Sequence, residues 1–200
     1  MNTPTEVLNV AAKMDSSFAN GPGDRAVLWV QGCPLKCEGC CNPNFQDFSK
    51  IASPMTTDEV ADWIVSVITP GIRGLSLSGG EPLHERHLSL LRESIALAKR
   101  RISFDVLAFT GMTEDVIETL CLDGIDLLIA GPYITSLHHH SGLVSSTNQK
   151  VIRLTDAFSD ISEEWFWQSE RAMEAELDGD EIHFTGLFHP DEVKRMMGIS

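Results

Sequence analysis

The chain has 200 residues, 42% of them apolar and 22% charged, and a formal net charge of −14. That size fits one domain, or one domain with a small appendage, and can bury a core without disulfide staples. The acidic balance repels phosphate backbones and anionic lipid, so nucleic-acid and membrane partners are not expected, though it could meet a basic protein. No apolar run reaches the ~20 residues that span a bilayer. The start lacks a basic segment followed by an apolar one, so a cytoplasmic location is expected.

After Gly21–Pro22–Gly23, residues 25–31 form a short apolar run that reads as a buried strand. A loop rich in Gly, Pro and Asn follows over 32–44 and carries four cysteines. Thr56, Thr57, Asp58 and Glu59 announce a helix whose apolar positions are Val60, Trp63, Ile64 and Val67; Pro70–Gly71 ends it. Residues 74–78 read as a second strand, and Leu88, Leu91, Ile95 and Ala98 mark the next helix. A strand over 104–109, a helix over 114–120 and a strand over 125–129 continue the alternation. Short connections between uniformly apolar strands predict a parallel α/β sheet. Residues 133–148 are polar and read as a long loop, and 151–154 as one more strand. Two segments flanking Asp178–Gly179–Asp180 predict a hairpin, with a short helix after Pro190.

The chemistry concentrates in Cys33, Cys37 and Cys40, spaced C-x3-C-x2-C. An odd total of five cysteines, four within nine residues, does not read as a disulfide framework. Three neighbouring thiolates can ligate three irons of a cubane cluster, leaving the fourth iron open. Zinc, which commonly takes two separated pairs, and buried free thiols are the alternatives. Cys41 could be a fourth ligand, but adjacent side chains diverge. Ser78–Gly79–Gly80–Glu81–Pro82 closes a predicted parallel strand, where ligands of such sheets sit. Two glycines allow close backbone approach, and Glu81 offers a carboxylate to an ammonium group; alone, this pentapeptide could be a turn.

Cys33, Cys37 and Cys40 together with Gly79–Gly80–Glu81–Pro82 resemble the radical S-adenosylmethionine (SAM) superfamily. Within it, Asn20–Gly21–Pro22–Gly23–Asp24–Arg25, Trp29–Val30–Gln31–Gly32–Cys33, Gly39–Cys40–Cys41–Asn42–Pro43, Phe109–Thr110–Gly111, the run 125–133 and Thr147–Asn148–Gln149–Lys150 resemble the activating enzymes of anaerobic (class III) ribonucleotide reductase. The resemblance implies a partial, open (β/α) barrel over 1–154, with residues 155–200 as a small α+β extension packed on it. It implies one [4Fe–4S] cluster on Cys33, Cys37 and Cys40, with SAM on the unique iron. Gly79, Gly80 and Glu81 would meet the methionine amino group, with Ser78 beside them, and Thr110 the ribose or methionine side. One electron from a flavodoxin- or ferredoxin-type donor would cleave SAM to a 5′-deoxyadenosyl radical. That radical would take a hydrogen from a backbone glycine of a large glycyl-radical protein.

Other residues carry two readings. Ala130 stands where that family often has aspartate, which leaves room for another peptide or small-molecule substrate; a non-enzymatic cluster or zinc protein is the third possibility. Asn148 and Gln149 close the site or meet the partner, or form a solvated turn. Trp165, Phe166 and Trp167 dock a partner or cover the open edge of the sheet. His138–His139–His140 cannot all face one ion and read as a solvated, mobile loop. His84 and His87, near the Gly79–Gly80–Glu81 loop, either touch the site or lie on the first turn of a helix, and Cys121, spaced with Ile117, reads as core.

Overall fold

The computed structural model describes residues 6–178, 181–186 and 198. The chain opens on a strand that its composition does not announce. β1 (Leu8–Ser17) runs antiparallel to β2 (Asp24–Val30), and its start also pairs with β3 (Ser53–Met55). Only Leu8, Val10 and Ser17 of β1 are buried, so its solvent-facing residues hide the strand pattern. The helix α1 (Thr57–Val67) starts at a capping box in which Thr56 and Glu59 exchange side-chain bonds with each other's backbone N–H.

β4 (Ile72–Gly79) pairs parallel with β2; α2 (Glu85–Lys99) then leads to β5 (Asp105–Thr110), parallel to β4. The one-turn α3 (Glu114–Ile117) precedes β6 (Leu127–Ala130), parallel to β5. β7 (Lys150–Arg153) closes that side antiparallel. The seven-stranded order is β3-β1-β2-β4-β5-β6-β7. The expected parallel sheet is therefore a parallel centre with antiparallel edges, open rather than closed. The antiparallel pairing of β1 with β2 follows from a short return: six residues join them, whereas a parallel crossover needs a dozen or more.

Alternation along the strands builds two cores. Leu28, Leu75, Leu77, Val106, Ala108 and Leu128 pack with Ile64 of α1 and Leu91 and Ile95 of α2. On the other face, Leu107, Leu127 and Ile129 meet Leu143, Val144, Phe158 and Phe166. Phe166 lies on α4 (Glu163–Gln168), which is capped by Ser162. Of the two readings of 165–167, covering the sheet is what the buried Phe166 does. β8 (Met173–Asp178) and β9 (Glu181–Gly186) form the expected hairpin, joined to the strand end by Ser17 Oγ to Glu174 Oε2 (2.5 Å) and Asn20 Nδ2 to Thr185 Oγ1 (2.9 Å). Its turn and the helix expected after Pro190 lie outside the described residues. At the opposite end from the strand tips, buried Arg25 meets Asp105 at 2.6 Å, and Arg73 joins Asp105 to Asp160.

Candidate functional site

The cysteine loop leaves the end of β2 and is closed at its base by backbone bonds. Gly32 N–H donates to Phe45 O (2.8 Å) and Cys33 N–H to Gln46 O (2.9 Å). The Gln31 side chain donates to Asp47 O at 2.8 Å. Inside the loop, Lys36 and Gly39 take positive φ, and Cys40 N–H donates to Cys37 O. These turns bring Cys33, Cys37, Cys40 and Cys41 to the wall of one cleft with about 790 Å³ of open space, part of it continuous with solvent.

Burial pushes the Cys33 and Cys37 thiols above their ordinary range. A hydrogen bond from Cys41 brings Cys40 down to about 6, helped by Asn42 N–H at 3.4 Å. Cys41 moves the other way for the same reason: it keeps its proton and donates it, and burial adds to the shift. Among the described residues, no three His, Cys, Asp or Glu side chains converge on a single ion position. Three thiols spread along one wall match in kind the ligands of a polynuclear iron–sulfur cluster, which takes one thiolate per iron.

Opposite the cysteines runs the loop after β4. Ser78, Gly79, Gly80 and Glu81 all border the cleft. The sequence suggested that the glycines admit a ligand; their tightest approach is to the base of the cysteine loop. A Cβ on Gly80 would lie 2.2 Å from Gly32 O, and one on Gly79 2.6 Å from Val30 N. Backbone bonds seal the contact, from Gly80 N–H to Val30 O (2.8 Å) and from Glu81 N–H to Gly32 O (2.9 Å).

Glu81 is buried, and its carboxylate accepts from Thr110 Oγ1 (2.7 Å), Gly111 N–H (2.8 Å) and Leu83 N–H (3.0 Å). Burial still pushes its pKa up. Thr110 therefore spends its proton on Glu81, tying β5 to the loop after β4, while both residues border the cleft. A carboxylate has about four acceptor sites, so three donors leave one for a ligand.

The segment 131–149 forms the third wall. Gln149 Oε1 accepts from Ser145 and Ser146 N–H while its Nε2 donates to Gly131 O; Asn148 Nδ2 donates to Pro132 O. Both residues staple this segment together; Asn148 lies in a half-buried turn before β7, closed by Gln149 N–H to Ser146 O (3.0 Å). Two of the three histidines are held by hydrogen bonds, and His140 is exposed. His138 Nδ1 lies 3.0 Å from Tyr133 Oη and His139 Nε2 2.8 Å from Trp167 O, because residues 139–149 cover the second core.

Tyr133, His138 and Arg171 also border the cleft, although the sequence offered Tyr133 only within a family-like run, His138 only within a solvated histidine run, and Arg171 no site role. Arg171 Nε and NH2 donate to Gly142 O and Val144 O. No local spacing signals Arg171, which reaches the cleft from the far end of the chain. Ala130 packs in the first core, so the side chain at this position does not decide the polarity of the cleft. Cys121 is exposed, its Sγ 3.1 Å from Asp123 Oδ2, and not core as its spacing suggested; α3 ends at Ile117, before the helical period reaches it.

The family described as a 4Fe-4S single cluster domain matches residues 19–152. The anaerobic ribonucleoside-triphosphate reductase-activating protein of Enterobacteria phage T4 is 32% identical over 141 residues, 70% of this chain and 90% of that protein. Its namesake from Vibrio cholerae is 34% identical over 145 residues, 68% of this chain and 92% of that one. The Escherichia coli protein of the same name is 26% identical over 145 residues, 68% and 91% of the two chains.

Proposed function

Because the chain belongs to the 4Fe-4S single cluster family, among activating proteins of anaerobic ribonucleoside-triphosphate reductase, we propose that it is a radical SAM activase. Its substrate in this reading is a glycyl-radical protein of the anaerobic reductase type, and its electron donor a flavodoxin- or ferredoxin-type carrier. One observation carries the proposal: Cys33, Cys37 and Cys40 face the Gly79–Gly80–Glu81 loop across one cleft at the carboxyl ends of parallel strands. The open sheet suits a partial (β/α) barrel, with 1–154 as the core and 155–200 as an extension that adds Phe158, Phe166 and Arg171.

Cys33, Cys37 and Cys40 would hold a [4Fe–4S] cluster, leaving one iron without a thiolate. When bound, cluster and SAM supply one-electron chemistry and a hydrogen-abstracting 5′-deoxyadenosyl group. Glu81 keeps one acceptor site toward the cleft, suited to the ammonium group of a methionine moiety. Thr110 and Gly111 hold that carboxylate in place, and Gly79 and Gly80 keep its loop against the cysteine loop. Residues 131–149 and Arg171 wall the cleft from bulk water on the side of the second core.

The test is anaerobic reconstitution with iron and sulfide. Wild-type protein is expected to take up four irons' worth of cluster absorbance and, with SAM and reductant, to release 5′-deoxyadenosine. With a cognate reductase it should yield a glycyl-radical signal in electron paramagnetic resonance. Ala at position 33, 37 or 40 should abolish all three, while Cys121→Ser should leave them intact. Cluster assembly without 5′-deoxyadenosine would sink the enzyme reading and favour an electron-transfer protein.

A further inference from the structure

His87 stands just behind the cleft, in the first turn of α2, with 3% of its surface exposed. Its Nδ1 lies 2.9 Å from Glu81 O and its Nε2 3.1 Å from Gln31 O. Those two carbonyls belong to the two loops that face each other across the cleft. Glu81 sits in the loop after β4; Gln31 is two residues before Cys33. Carbonyl oxygens only accept, so the ring is the donor to whichever it bonds.

The surroundings leave the ring little freedom. Gln31 is held from two other sides, by its own N–H to Asn9 O (2.9 Å) and its amide to Asp47 O (2.8 Å). Phe48 stacks on the His87 ring with centroids 6.1 Å apart, and the same phenyl ring fills the space where a Cβ on Gly32 would stand. His84, which caps α2, packs 4.7 Å from Phe48. Helix α2, the cysteine loop and the loop after β4 thus meet at one imidazole.

We infer that His87 is a positioning residue, whose hydrogen bond between α2 and the carbonyls of Gln31 and Glu81 sets the cysteine loop against the Gly79–Gly80–Glu81 loop. It touches neither the cluster cysteines nor the open space of the cleft. It acts through the distance between the two walls, and so on the affinity for whatever bridges them. The part concerning SAM rests on the proposed function above.

Three variants test it: His87→Ala removes the donor, His87→Asn keeps one near the Nδ1 position, and His87→Gln keeps one near the Nε2 position. Two measurements are needed. Amide hydrogen exchange at residues 32, 33, 80 and 81 in the unreconstituted protein needs no cofactor. SAM affinity of the reconstituted protein is measured by equilibrium dialysis.

Faster exchange at those four amides in His87→Ala is expected, with unchanged iron content and SAM binding about tenfold weaker, the equivalent of one hydrogen bond. One of the two amide variants should restore both properties, thereby naming the native donor atom. The inference is overturned if His87→Ala exchanges and binds like wild type, or if neither amide variant restores it, since packing alone would then explain the loss. Should His87→Ala fail to fold, the amide pair decides: a difference between them supports the bond, and identical behaviour rejects it. Wild-type protein that binds no SAM would defeat the functional reading, while the exchange data would still judge His87.

Discussion

Gly80 shows how a motif can be required for a reason other than ligand access. The α-hydrogen that a side chain would replace faces the carbonyl of Gly32, and a methyl there would stand 2.2 Å from a backbone oxygen that two adjoining hydrogen bonds hold in place. Gly80→Ala should therefore destabilise the protein by about 1–3 kcal/mol, as overpacking does, and be visible as a lower urea midpoint. Glu81 supplies a second test through its titration. Burial raises its pKa above the ordinary carboxylate value of 4.5, so its contribution to stability is complete below that value and falls as pH rises through the raised one. Glu81→Gln cannot ionise. The stability advantage of wild type over this variant, measured by urea unfolding from about pH 4.5 to pH 7, should shrink as pH rises. An advantage that stays constant or grows would contradict a raised pKa.

At the scale of elements, α4 has six residues, too few to hold a helix in water without tertiary support. Its support is Phe166, fully buried between Leu107, Leu127, Ile129 and Phe158. The same residue's carbonyl accepts from Leu143 N–H (2.8 Å) and Val144 N–H (3.2 Å), so α4 also anchors the segment that walls the cleft. Phe166→Ala should cost about 3–5 kcal/mol by urea unfolding. Hydrogen exchange of residues 143–149 should rise with it, while the amides of α1 keep their protection. α1 differs because its stop and start are local. Thr56 and Glu59 close a capping box at the start the sequence announced, and Val60 and Ile64 of its expected apolar positions are buried together with Ala61.

At the scale of the whole molecule, the parallel order β2-β4-β5-β6 puts the cysteine loop and the Gly79–Gly80–Glu81 loop at the same sheet edge, since both follow the carboxyl ends of adjacent strands. Apolar runs and helical periodicity specify that alternation. The sequence by itself also determined which thiols cluster, since Cys33, Cys37 and Cys40 lie within one loop and local chain length keeps them together. It could not reveal β1, whose pattern is diluted by an exposed face, or the exposure of Cys121, which depends on where a one-turn helix stops. Nor could it reveal what Gly80, Thr110, His87 and Arg171 do. Gly80 is bounded by Gly32, Thr110 by Glu81, His87 by Gln31, and Arg171 by Gly142 and Val144. Those partners are distant in sequence, and a hydrogen bond or a 2.2 Å encroachment exists only once packing has brought the two backbones together.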